Sequence, residues 1–109
     1  MRITDFQREA ILREVASVLG PGARVWLFGS RANDKTRGGD IDLYAEVAYP
    51  VTPRLKARLV ARLEQQLVNH VDLVIREPGS TDVPIYRIAR QAGVQLDSTS
   101  TRAYTEENP

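Results

Sequence analysis

From Asp40 to Val47 polar and apolar residues alternate without a break, with Ile41, Leu43, Ala45 and Val47 on one side and Asp40, Asp42, Tyr44 and Glu46 on the other. A period of two belongs to a β-strand, here with one face for burial and one face that carries carboxylates. Such a strand is not stable alone. It needs partner strands beside it and an apolar layer over its buried face.

The flanking segments supply both. Thr4, followed three residues later by Gln7, predicts a capping box at a helix start, and Ile11, Val15, Val18 and Leu19 continue at helical spacing to Gly20-Pro21-Gly22. Val25-Trp26-Leu27-Phe28 reads as a short strand closed by Gly29, with Trp26 and Phe28 as core residues. Thr52-Pro53 opens a second helix whose Leu55, Leu59, Leu63 and Leu67 form an apolar stripe, with Arg54, Arg58 and Arg62 beside it as a solvated face or an anion-binding surface. Val71 to Ile75 is a third strand, and Val83 to Ala92, with Ile85, Ile88 and Ala89, a last helix ended by Gly93. Helices alternating with strands in 109 residues predict one mixed α/β layer structure. The expected domain covers residues 1–96; residues 97–109, rich in Ser, Thr and Glu with Tyr104 the one aromatic, are expected to form a polar tail.

Composition narrows the chemistry. Fifteen basic and fourteen acidic side chains leave a formal charge of +1, too little excess for a general nucleic-acid or membrane binder. With no cysteine there is no disulfide or thiolate chemistry, and the single histidine, His70, is expected to serve as a cap or surface residue. The first residues lack the apolar core of a signal peptide and no long apolar run exists, so the expected location is cytoplasmic.

Three segments carry the candidate chemistry. Leu27-Phe28-Gly29-Ser30-Arg31 is a strand running into a glycine turn; Gly29 allows close backbone approach, and Ser30 offers a hydroxyl and nearby amides to an anion or simply caps a helix. Asp40 and Asp42 leave one strand on the same face, about 7 Å apart, where two anions suit either open solvent or a hard cation such as Mg²⁺. Asp72 interrupts an apolar strand; if that strand pairs beside the first, its carboxylate joins the same face. Tyr44 shares that face, within reach of substrate or packed as an ordinary strand aromatic, and Glu46 lies too far along to share an ion with Asp40 and Asp42.

Gly29-Ser30, nine intervening residues, Asp40-Ile41-Asp42 and the later Asp72 together resemble the signature of the DNA polymerase β-type nucleotidyltransferases. More narrowly, the chain is similar to the minimal nucleotidyltransferases (MNT), the antitoxin components encoded beside HEPN-domain toxins in prokaryotes. The resemblance runs from the first helix to about Leu96, with one departure: Gly39 stands where the family often has Ser before the first aspartate. It implies a small α/β (α+β) nucleotidyltransferase fold, a mixed β-sheet with helices packed mainly on one side. It further implies that Asp40, Asp42 and Asp72 are catalytic residues and metal ligands for a pair of Mg²⁺ ions, with ATP as co-substrate held by Gly29, Ser30 and Arg31. Lys35 and Arg37 are weaker candidate phosphate contacts.

The implied reaction is transfer of AMP to a hydroxyl, the acceptor being a tyrosine of a HEPN ribonuclease toxin. A second polypeptide is expected because the chain has no room for an acceptor domain. Two rivals keep the fold but change the function: an antitoxin that masks its toxin by binding alone, and a transferase for a small molecule. Neither membrane nor nucleic acid is an expected partner.

Overall fold

A computed structural model of the chain describes residues 3–32 and 39–97. The order is α1 (Asp5–Leu19), β1 (Arg24–Phe28), a single 3₁₀ turn (Gly29–Ala32), β2 (Ile41–Glu46), α2 (Pro53–Leu67), β3 (Val71–Arg76), α3 (Pro84–Ala92) and the two-residue β4 (Val94–Gln95).

Both long helices start where the sequence places them. The Gln7 N–H donates to Thr4 Oγ1 (3.0 Å) while the Thr4 N–H donates to Gln7 Oε1 (2.9 Å), and Thr52 Oγ1 accepts the Leu55 N–H (3.1 Å). Each hydroxyl satisfies a first-turn donor that would otherwise lack a partner. α2 ends less comfortably, with Val68 in the left-handed region at φ 51° and ψ 48°.

The sheet runs β3-β2-β1-β4, with β2 parallel to β3 and β1 antiparallel to both β2 and β4. The pleat then sorts the side chains. Val25, Leu27, Ile41, Leu43, Ala45, Val71 and Leu73 face α1 and α2 and form the main core with Ile11, Val15, Leu59 and Leu63. Arg62 does not belong to a free arginine stripe. Its Nε donates to Glu14 Oε1 at 2.6 Å, tying α2 to the otherwise buried Glu14 of α1, while Arg54 and Arg58 are exposed.

The opposite face is also covered. Trp26, Tyr44 and Ala89 form a second, smaller cluster with Phe28, Val74 and Tyr86, so α3 packs on the side away from α1 and α2. The apolar positions of α3 sort differently from the expectation: Ala89 is buried, but Ile88 is 53% exposed. Gly93 lets the end of α3 approach β1, because a Cβ there would run into the carbonyls of Ala89 and Leu27. The chain turns at Gly93 into β4, which the sequence pattern did not reveal. There Leu96 is fully buried, its N–H donates to the Val25 carbonyl (2.9 Å), and its carbonyl accepts from the buried Arg8 (2.7 Å). The Asp97 carboxylate accepts the Val25 N–H at 3.0 Å, so the first residue of the expected tail is tied to β1. The rest of that tail, with Tyr104, and the Lys35 and Arg37 positions lie outside the described residues.

Candidate active site

The three candidate aspartates meet at the leading ends of β2 and β3. In the parallel register Asp42 stands directly beside Asp72, so both carboxylates project from one face about 5 Å apart at the backbone. Asp40 precedes β2, as His70 precedes β3, and the Ile41 N–H donates to the His70 carbonyl at 2.9 Å. β1 brings the glycine turn to the other flank, because Phe28 pairs with Asp42 and Gly29 follows at once. Gly29 has φ +71°, and a Cβ on it would collide with the Asp42 carboxylate. Glycine is required there twice, by conformation and by space.

Ser30 lies in the 3₁₀ turn beside Gly29. Arg31 Nη2 donates to the Gly39 carbonyl at 3.1 Å, joining the turn to the approach of Asp40. Tyr44 lies too deep to touch a substrate. It is fully buried between Trp26 (5.3 Å) and Tyr86 (5.6 Å), and its hydroxyl donates to Glu46 Oε2 at 2.6 Å. Glu46 is thereby committed to Tyr44 and to Arg90 (3.6 Å), away from the aspartates.

His70 belongs to this cluster, which the sequence reading missed. Its Nδ1 lies 2.9 Å from Glu64 Oε2 and its Nε2 3.2 Å from Asp72 Oδ1. Glu64 Oε2 also accepts the Val71 N–H (3.0 Å), which anchors the pair to β3. The signal was available: His70-Val71-Asp72-Leu73 repeats the pattern Asp40-Ile41-Asp42-Leu43, and two such strands in parallel register place all four polar groups on one face.

The electrostatics follow from crowding. Partial burial raises the pKa of Asp42, and the charge of Asp72, a hydrogen bond to its carboxyl and the charge of Asp40 add to the rise, with His70 opposing it. For His70, desolvation alone would lower the pKa, but the carboxylates of Asp40, Asp72 and Glu64 outweigh it and hold the imidazole above its ordinary value. Such a set favours an added cation. Asp40, His70 and Asp72 can each offer a ligand atom within 4.8 Å of the others, and Asp42 adds another hard oxygen beside Asp72. This donor chemistry fits a divalent ion such as Mg²⁺, with carboxylate oxygens as the main ligands.

Comparison with known proteins bears on the fold that holds these residues. The family model of the nucleotidyltransferase domain matches residues 8–93. Among solved structures, a toxin–antitoxin with AMP-PNP matches at 22% identity with TM-score 0.71, covering 90% of this chain and 78% of that one. The tri-AMPylated Shewanella oneidensis HEPN toxin in complex with its MNT antitoxin matches at 22% identity and TM-score 0.67, covering 91% of this chain and 76% of that one. The toxin–antitoxin MntA–HepT gives 20% identity and TM-score 0.68 over 94% and 79% of the two chains. At these identities the likeness concerns the fold. No curated protein matches, and no helix among the described residues is long and apolar enough to cross a membrane.

Proposed function

The chain belongs to the nucleotidyltransferase domain family, and from that premise we propose that it is a cytoplasmic, Mg²⁺-dependent antitoxin that transfers AMP from ATP to a tyrosine hydroxyl of a partner HEPN ribonuclease toxin. The observation that carries this reading is the in-register pair Asp42 and Asp72, with Gly29 set against Asp42. Like charges placed side by side destabilise the free protein, and the arrangement makes sense for a chain that handles cations and phosphates.

Asp40, Asp42 and Asp72 would hold Mg²⁺. When bound, the ion neutralises phosphate charge and stabilises the attacking and leaving oxygens of an in-line displacement. The Gly29-Ser30 turn lies on the β1 side of Asp42 and would receive the triphosphate, its backbone able to approach because Gly29 has no side chain. Arg31, through the Gly39 carbonyl, holds the turn and Asp40 in fixed relation. Asp72, on the β3 side, would orient the acceptor hydroxyl and take up its proton. The oxygen–phosphorus bond to the acceptor then forms as the bond to pyrophosphate breaks. No side-chain nucleophile is needed, in keeping with a sequence free of cysteine.

The test is intact mass of the HEPN-domain protein encoded beside this chain, after incubation with the purified chain, ATP and Mg²⁺. One or more AMP units are expected, and none with Asp40→Asn plus Asp42→Asn. An unmodified partner whose toxicity is masked equally well by that double variant would instead establish binding alone as the mechanism.

A further inference from the structure

Along β3 the sheet face that carries the aspartates changes sign, and at its far end Arg76 stands in register beside Glu46 of β2. Beyond Asp72 on β3 come Val74 and then Arg76, about 13 Å away along the strand. There Arg76, Asp82, Tyr86, Arg87, Arg90 and Gln91 line an open cleft of about 440 Å³ between the end of β3 and α3. Three guanidinium groups meet one carboxylate in its wall. Asp82 is divided between Arg87 (3.5 Å) and Arg76 (3.9 Å), both too far for a strong bond, and Arg90 reaches outside the lining to Glu46 at 3.6 Å. Two of the guanidiniums are held on rings, Arg76 at 5.2 Å over Tyr86 and Arg90 at 5.1 Å over Trp26. Planar cations fixed in this way lose little freedom when an anion arrives. Arg87 remains 69% exposed, with the exposed Ile88 beside it on α3.

We propose that this cleft docks an acidic segment of the acceptor protein and so brings the acceptor hydroxyl to Asp72; the proposal rests on the AMP-transfer reading above. Position along the strands separates the two substrates. The glycine turn flanks Asp42 at the end where β1 stops, whereas the arginine cleft flanks the opposite end, where Arg76 pairs with Glu46. The triphosphate is accounted for on the first flank, and an adenine base brings no anion to the second. A continuous nucleic-acid backbone suits the face poorly, since it would run from the arginines onto Asp72, Asp42 and Asp40. A protein segment can present carboxylates at one end and a neutral hydroxyl at the other, which is the complement of this face.

The test uses the full chain without ATP and two fluorescent peptides, each with one tyrosine and, four residues on, a short run of either glutamates or lysines. Fluorescence anisotropy is expected to show the glutamate peptide binding about tenfold more tightly. Arg87→Glu abolishes that preference, and Asp82→Asn strengthens glutamate-peptide binding, with melting curves of both variants like wild type. ATP affinity of Arg87→Glu, measured by calorimetry, stays at the wild-type level. Equal affinity for the two peptides, or a preference that survives Arg87→Glu, overturns the proposal. So does a loss of ATP affinity in that variant, or a single-stranded RNA that displaces the glutamate peptide at lower concentration than the unlabelled peptide does. If the peptide preference holds while the wild-type chain transfers no AMP to its partner, the transfer reading fails and the docking cleft stands.

Discussion

Two stretches of one sheet face, separated by a few residues, are built on opposite principles. At the leading ends of β2 and β3, the carboxylates of Asp40, Asp42 and Asp72 crowd together beside His70 with little apolar cover. Farther along the same strands Tyr44 is sealed between Trp26 and Tyr86, its hydroxyl bonded to Glu46, with arginines laid over the outer rings. The aromatic region stabilises the fold through burial and satisfied polar groups. The acidic region weakens the metal-free fold and is compensated when a cation arrives. The pleat is shared, so the contrast comes from what α3 covers and what it leaves open.

The sharpest way to break this contrast is Asp42→Asn. Losing one carboxylate from the set is expected to cost AMP transfer on the order of a thousandfold, about 4 kcal/mol in the barrier. The metal-free variant should nevertheless melt higher than wild type. The Asp42 pKa is raised in the fold, so its contribution to stability is fully present below the ordinary value of 3.8 and is lost as pH rises through the folded value. An amide escapes that loss. Mg²⁺ should raise the melting temperature of wild type but much less that of Asp42→Asn, and a variant that melts lower without metal would contradict the account.

In the aromatic region the corresponding change is Trp26→Ala, which removes one of the two rings enclosing Tyr44 and the platform under Arg90. Denaturant titration should show a loss of about 3–5 kcal/mol. A loss below about 1 kcal/mol would mean that α3 does not depend on this cluster.

Next in size is a pH effect. Burial, followed by the hydrogen bond to Glu46, pushes the Tyr44 pKa up to about 12 from 10.0. The unfolded phenol ionises first, so stability should fall between pH 10 and 12, by about 2–3 kcal/mol for a shift of this size. Tyr44→Phe should show a shallower decline over that range, and equal slopes would refute the assignment.

The smallest effect is at Val68, a β-branched residue held at φ 51° and 87% exposed. Val68→Gly is expected to stabilise the protein by about 1 kcal/mol, because glycine adopts this conformation without steric cost. Unchanged stability would show that the strain is relieved elsewhere.

Much of this architecture was legible in the residues because it depends on local chemistry. Thr4 with Gln7, and Thr52 with Pro53, mark helix starts whatever lies nearby. Strand parity places Asp40, Asp42 and Tyr44 on one face, and Gly29 announces a turn. Position along the chain could not say which part of that face is wet. Tyr44 and Asp42 have the same parity, yet one is buried and the other joins the acidic cluster, because α3 arrives from forty residues away to cover only one of them. His70 was passed over for a related reason: Asp72 is a near neighbour in sequence, but Glu64 reaches it from α2 and Asp40 from the start of the strand alongside, and only the fold brings these together. β4 is two residues long and held by β1, and Arg62 finds its partner on another helix. Periodicity and capping therefore determined the elements and their polar faces, since these act over a few residues. Burial, ion pairing and the joining of the aspartates to His70 were decided by tertiary packing, since they depend on which distant surface each side chain meets.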